Sequence, residues 1–154
     1  MLVMALASAW LATHPTGGSW LQELRMPAWA PAPSWLALGW LLAWILQTLA
    51  AWQAWHTAHR QRGWLVSAWL VQLGSWTLWA WALLDWHRPG WALGVLTGSW
   101  LLQAAMLVMA RSLGGPVLLA LTPVMLWLSL LWLLNLLLWQ LNGGGLASLL
   151  AQGL

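Results

Sequence analysis

Residues 117–141 read VLLALTPVMLWLSLLWLLNLLLWQL, a run without one charged residue and long enough to cross a bilayer as a single helix. Three further runs, 35–55, 64–84 and 91–110, each fit one crossing, and a shorter one, 1–13, precedes them. The composition agrees with a lipid solvent. Hydrophobic residues make up 62% of the 154 and charged residues 5%, where a water-soluble domain of this size carries roughly a quarter charged. Nineteen residues are Trp, and Tyr, Phe, Cys and Lys do not occur. Indole is large, flat and apolar over its faces, with one N–H donor at its edge. It therefore suits a membrane interface, or a pocket for a flat ring system, better than a soluble core.

The same composition excludes several classes of function. The formal charge of +3 rests on five Arg scattered over the loops, so a basic patch for nucleic acid is missing. Without Cys there are no disulfides, thiolate nucleophiles or iron–sulfur clusters. His56 and His59 stand three residues apart at the end of a run, but without a third ligand nearby they read as an interfacial pair rather than a metal site. All four His lie near the ends of runs, which disfavours axial haem ligation in the membrane. Glu23 and Asp85 are the only carboxylates, each in a loop near Arg, so paired acid–base catalysis and a proton relay across the bilayer lack residues. No catalytic residue, metal site or resident cofactor is expected.

Breaks at 14–18, 56–63, 85–90 and 111–116 divide the chain into five apolar segments, giving an all-α, five-transmembrane-helix bundle over residues 1–142. The run 1–13 is taken as the first span. Ala7-Ser8-Ala9 resembles a signal-peptide cleavage site, but the charged stretch that should precede it is lacking. The longest connection, 14–34, is rich in Pro, with Pro27, Pro31 and Pro33 around Trp29; it is expected to be rigid, extended and placed as a lid over one mouth of the bundle. Residues 143–154 form an uncharged tail expected to be flexible. With five spans, Arg60, Arg62 and Arg111 share one side and Arg25 and Arg88 the other, which weakly favours the first side as cytoplasmic.

At 100° per residue, Trp40, Trp44 and Gln47 fall on one helical face, as do Gln72, Trp76 and Trp79. Thr97, Trp100 and Gln103 share a broader face, and Trp132, Asn135 and Trp139 another. An amide facing hydrocarbon is costly, so these faces are expected to turn into the bundle, where the amides tie helices together or meet a ligand. Bulky, rigid indoles seldom pack without gaps, and a flat aromatic guest would complete the packing. Trp35, Trp52, Trp55, Trp64, Trp86 and Trp91, near segment ends, are explained by interface anchoring alone. Gly94 and Gly98 form a GxxxG spacing that serves helix packing within one chain or between two.

The order of residues in the lid and helices resembles the translocator protein, or tryptophan-rich sensory protein (TspO/MBR), family, also known as the peripheral benzodiazepine receptor family. The family's lid signature, approximately W-Y-x-x-L-x-K-P-x-W-x-P-P, is matched without gaps by Trp20-Leu21-Gln22-Glu23-Leu24-Arg25-Met26-Pro27-Ala28-Trp29-Ala30-Pro31-Ala32, and is followed by Trp40 and Trp44. Gln72-Leu73 through Trp79 is similar to the family's third helix, and Gly90-Trp91-Ala92-Leu93 to the start of its fourth. Pro123 through Trp127, with Leu134-Asn135 and Leu141-Asn142, is similar to its fifth. The resemblance spans about 20–142. It implies a homodimeric five-helix bundle whose cavity under the lid binds porphyrins and benzodiazepine-type ligands. Carried over by position, Pro31 belongs to the lid, and Trp40, Trp76, Trp79, Trp91, Trp127 and Leu131 line or border the pocket. Leu21, Met26, Trp76 and Val124 stand where the family has Tyr, Lys, Asn and Tyr, and each removes a polar handle. A sterol motif of the L/V-x-Y-x-K/R type cannot occur without Tyr.

The expected function is that of an integral membrane receptor or carrier in a bacterial cell membrane, more a binding protein than an enzyme. It would hold a tetrapyrrole or another flat aromatic ligand between indoles. Trp44 completes the candidate lining, and Gln72 and Asn135, with Gln103, would orient the ligand's polar rim. Membrane lipid, a porphyrin-type small molecule and a second copy of the chain are the expected partners. Two alternatives are a photo-oxidative modification of bound porphyrin through Trp40 or Trp127, and a structural scaffold without ligand.

Overall fold

The computed structural model describes residue 20 and residues 23–56 and 62–143. Among these, four helices follow one another: α1 Pro33–His56, α2 Arg62–Leu84, α3 Pro89–Ala110 and α4 Gly115–Leu141. They correspond to the second to fifth apolar runs of the sequence. The first run, 1–13, and all but the start of the tail 143–154 lie outside the described residues, which contain four of the five expected helices.

Leu and Ala, both strong helix formers, fill the runs, and Pro marks where helices begin. Pro33 opens α1, and Pro also sits in the first turns of α3 and α4. The turn between α2 and α3 is closed by His87 at φ 53°, the one non-glycine residue with positive φ among those described, and by hydrogen bonds from Trp86 N to Trp81 O and Arg88 N to Ala82 O. Gly114, at φ 113°, performs the equivalent reversal before α4, where a side chain would be strained. Pro123 lies inside α4, where it removes one ladder hydrogen bond.

Each helix packs on the next, and α4 returns to α1, closing a four-membered ring in which α1 and α2 touch least. By length and hydropathy α1, α3 and α4 qualify as membrane spans. The hydropathy of α2 is lowered by its five indoles and by Gln72. Leu65 and Ala68 nonetheless pack with Met106 and Ala110, while Ala82 and Leu83 pack with Ala92, so α2 runs antiparallel alongside α3 over its length.

The interior is layered. Small residues, Ala50, Ala54, Ala68, Ala110 and Ala120, join Leu65, Met106 and Leu121 at the end where α1 finishes. Indoles occupy the middle, and Ala82, Leu83 and Ala92 pack with Trp20 at the other end. The exterior inverts the usual pattern: Leu119 and Leu126 are 75% and 68% exposed, while Gln47, Gln72 and Gln103 are fully buried. Polar groups inside and large aliphatic groups outside are what a hydrocarbon solvent selects. Gly94 and Gly98 face outward, and a Cβ at either would meet nothing within 4 Å, so the GxxxG spacing does not serve helix packing among the described residues.

Candidate functional site

Trp40 on α1 is the hub of an indole cluster. Its ring centroid lies 5.0 Å from that of Trp76 and 5.3 Å from Trp79, both on α2, and 6.4 Å from Trp127 on α4. Trp44, one turn further along α1, meets Trp76 at 5.5 Å. Interplanar angles of 68° to 83° make three of these contacts edge-to-face, the arrangement that sets the positive rim of one ring on the negative face of the next. Ala43, Leu96, Val124, Leu128 and Leu131 close the cluster. Gly39 precedes the hub, and a Cβ there would fall on the ring carbons of Trp127, so the missing side chain is what admits that indole to α1.

Beneath the indoles lies a layer of amides. Gln47 Nε2 donates to Gln103 Oε1 at 3.1 Å, and Gln103 Nε2 donates to Leu121 O at 3.1 Å, linking α1, α3 and α4. Gln72 Nε2 donates to Ser99 Oγ at 2.9 Å, and Trp76 Nε1 donates to the same hydroxyl at 3.1 Å. Two tryptophans follow a similar pattern between α3 and α4, Trp100 with Ser129 and Trp132 with Thr97, each at 2.9 Å. Such bonds are worth about 0.6–2 kcal/mol each within a membrane bundle. The amides thus bind helix to helix, the first of the two roles their position suggested.

Some atoms are left over. The indole N–H groups of Trp44, Trp69 and Trp127 and the carbonyl oxygens of Gln47, Gln53 and Gln72 are buried without a hydrogen-bond partner among the described residues. Those of Trp44, Trp127, Gln47 and Gln72 come from the cluster and from the layer directly beneath it.

At the mouth, Asn135 joins three elements. It accepts from Trp79 Nε1 at 3.0 Å and donates from Nδ2 to Pro89 O at 2.9 Å. Asn142 holds the lid: the backbone N of Arg25 donates to its Oδ1 at 2.9 Å, and its Nδ2 donates to Arg25 O at 3.2 Å. Trp20 meets His87 edge-on at 4.6 Å. The described part of this connection, Trp20 and residues 23–32, lies against the ends of α2, α3 and α4; Trp20 and Glu23 are helical rather than extended, a turn is closed from Ala30 N to Pro27 O, and Pro31 is half-buried.

Of the residues expected at the site, Trp40, Trp44, Trp76, Trp79, Trp127 and Leu131 come together, with Gln72 and Asn135 hydrogen-bonded at the cluster's margins. Trp91 stands apart, 65% exposed, and lines an outer groove with Trp139 instead. Trp35, Trp52, Trp55, Trp64 and Trp86 are exposed at helix ends, as interface anchors should be. Neither groove described is lined by the cluster's rings. The second groove lies at the opposite end, near His56, whose Nδ1 is 2.8 Å from Trp52 O. His59 lies outside the described residues. Ser99, Ser129 and Gly39 were not singled out from the sequence. The only signal for Ser99 was its place one turn before Gln103.

Among the described residues no three of His, Cys, Asp and Glu are grouped as metal ligands. Helices with an aliphatic exterior, an amide-bonded interior and an indole cluster between them define a tryptophan-rich integral membrane protein. The profile of the TspO/MBR family matches residues 1–140, and the chain belongs to that family. Comparison with curated proteins gave no match.

Proposed function

We propose that the chain is a non-enzymatic membrane receptor or carrier that accepts a flat aromatic ligand, a tetrapyrrole of the porphyrin type, among Trp40, Trp76, Trp79 and Trp127. The observation that carries this reading is that, of three buried indole N–H groups without a partner among the described residues, two, on Trp44 and Trp127, belong to the cluster. An unmade hydrogen bond in an apolar interior costs about 1–3 kcal/mol, and a ring with acceptors at its rim recovers it. The free carbonyls of Gln47 and Gln72 would accept from a donor at the ligand's rim, such as a protonated propionic acid group. Edge-to-face indoles separated by a guest exchange rim contacts for stacked ones, at little loss of ring–ring attraction. Leu131 and Asn135 border the site, Pro31 belongs to its lid, and Trp91 takes no part. A homodimer in a bacterial cell membrane is the setting that the family resemblance favours.

A structural scaffold is the second reading. It is favoured by the mutual contact of the indoles and by Trp76, which is 3% exposed with its N–H already bonded to Ser99.

Titration of the detergent-solubilised chain with protoporphyrin, followed by Soret absorbance and Trp quenching, separates the two. The binding reading expects saturation at one ligand per chain. It also expects affinity about tenfold weaker in Trp40→Leu and Trp127→Leu, the factor given by about 1.4 kcal/mol of lost ring contact. An unsaturable signal that both variants leave unchanged refutes binding and leaves the scaffold.

A further inference from the structure

We propose that the groove at the lid ends of α3 and α4 binds one anionic phospholipid, with the phosphate at Arg88 and the acyl region over Gly94 and Val95 between Trp91 and Trp139. The groove has a volume of about 870 Å³. Arg88 and His87 stand at its mouth, and no carboxylate lines it. The Arg88 guanidinium has no hydrogen-bond or ion-pair partner among the described residues, and its backbone is the N-cap of α3, where the helix dipole adds positive potential. The concavity is made by missing side chains. Gly90 lets the Trp139 indole nitrogen approach α3 to 3.1 Å from where a Cβ would stand, and a Cβ at Gly94 would project into open space.

The profile along the groove selects the occupant. Its mouth lies in the turn after α2, beside the lid's Arg25, while Trp91, Gly94 and Val95 fall within a membrane-spanning helix. A cationic mouth above an apolar, indole-walled floor matches a phosphodiester carried on acyl chains, and Trp side chains favour that depth. A free phosphate would use only the mouth. The groove shares no residue with the indole cluster, so this inference and the tetrapyrrole reading stand or fall separately.

The test is native mass spectrometry of the delipidated full-length chain in detergent, with dioleoylphosphatidylglycerol or dioleoylphosphatidylcholine added. One phosphatidylglycerol per chain should be retained about fivefold more tightly than phosphatidylcholine, the factor expected for one interfacial Arg. Arg88→Gln should abolish that preference. Gly94→Leu, which fills the floor, should lose either lipid, whereas Gly98→Leu, one turn on and outside the groove, should keep it. Inorganic phosphate should not displace the lipid. Equal retention of both lipids by the wild type, retention unchanged in Gly94→Leu, loss in Gly98→Leu, or displacement by phosphate each overturns the proposal. Circular dichroism establishes folding of every variant, and should Gly94→Leu fail to fold, the exposed Arg88→Gln still decides.

Discussion

Asn135 shows how one side chain holds a membrane bundle together. Its oxygen takes the Trp79 N–H of α2 and its nitrogen reaches the Pro89 carbonyl at the start of α3, while its own helix is α4. Replacing it by Leu keeps the branched shape but strands the Trp79 N–H, while Pro89 O keeps its place in the α3 ladder. A donor left unmade costs about 1–3 kcal/mol, reduced where neighbours re-pair it. Asn135→Leu is therefore expected to destabilise the folded chain by about 1–3 kcal/mol, read as a lower thermal midpoint in detergent. An unchanged midpoint would mean that the two bonds add nothing to stability. The sequence displayed Asn135 as an amide between two tryptophans on one face, but its partners come from positions 56 and 46 residues away. No local pattern encodes such a pairing. Ser99 was missed for the same reason, since a lone hydroxyl in an apolar run is unremarkable until Gln72 and Trp76 are seen to converge on it.

At the scale of elements, two glycines of equal appearance in sequence do opposite things. Gly39 on α1 faces the Trp127 ring, whereas a Cβ at Gly74 on α2 would meet nothing within 4 Å. The Trp127 indole is itself packed against Trp40, so it cannot swing aside freely. Gly39→Ala is expected to cost about 1–3 kcal/mol through overpacking and to shift Trp emission as the cluster opens. Gly74→Ala, by contrast, is expected to stabilise by up to about 1 kcal/mol through helix propensity alone. Equal thermal midpoints for the two variants would contradict the close approach of α1 and α4 at this point. Helix positions were legible from run length and from the Pro and Gly punctuation, because both act locally. The outward direction of Gly94 and Gly98 was not, because a GxxxG spacing reads the same whether it meets a helix or lipid.

For the whole molecule, the decisive arrangement is aliphatic outside and amide inside, with the α2–α3 turn and the α3–α4 turn at opposite ends. The chain has no Cys, so single cysteines report on this directly. Asp85→Cys and Ser112→Cys are expected to react with a membrane-impermeant maleimide from opposite sides of the membrane in intact cells and inverted vesicles. Labelling of both from one side would refute a membrane-crossing α3. The amino-acid sequence by itself determined the lipid environment, the four described helical segments and, Trp139 apart, the faces that turn inward. Apolar run length and a 3.6-residue period fix those before any helix meets another. Only the tertiary structure decided that the buried glutamines pair with one another and with Ser99, that Trp91 leaves the cluster for an outer groove, and that the N–H groups of Trp44 and Trp127 find no partner among the described residues. A helical face specifies what must be hidden from hydrocarbon, while the partner it finds depends on which helix stands opposite and at what height.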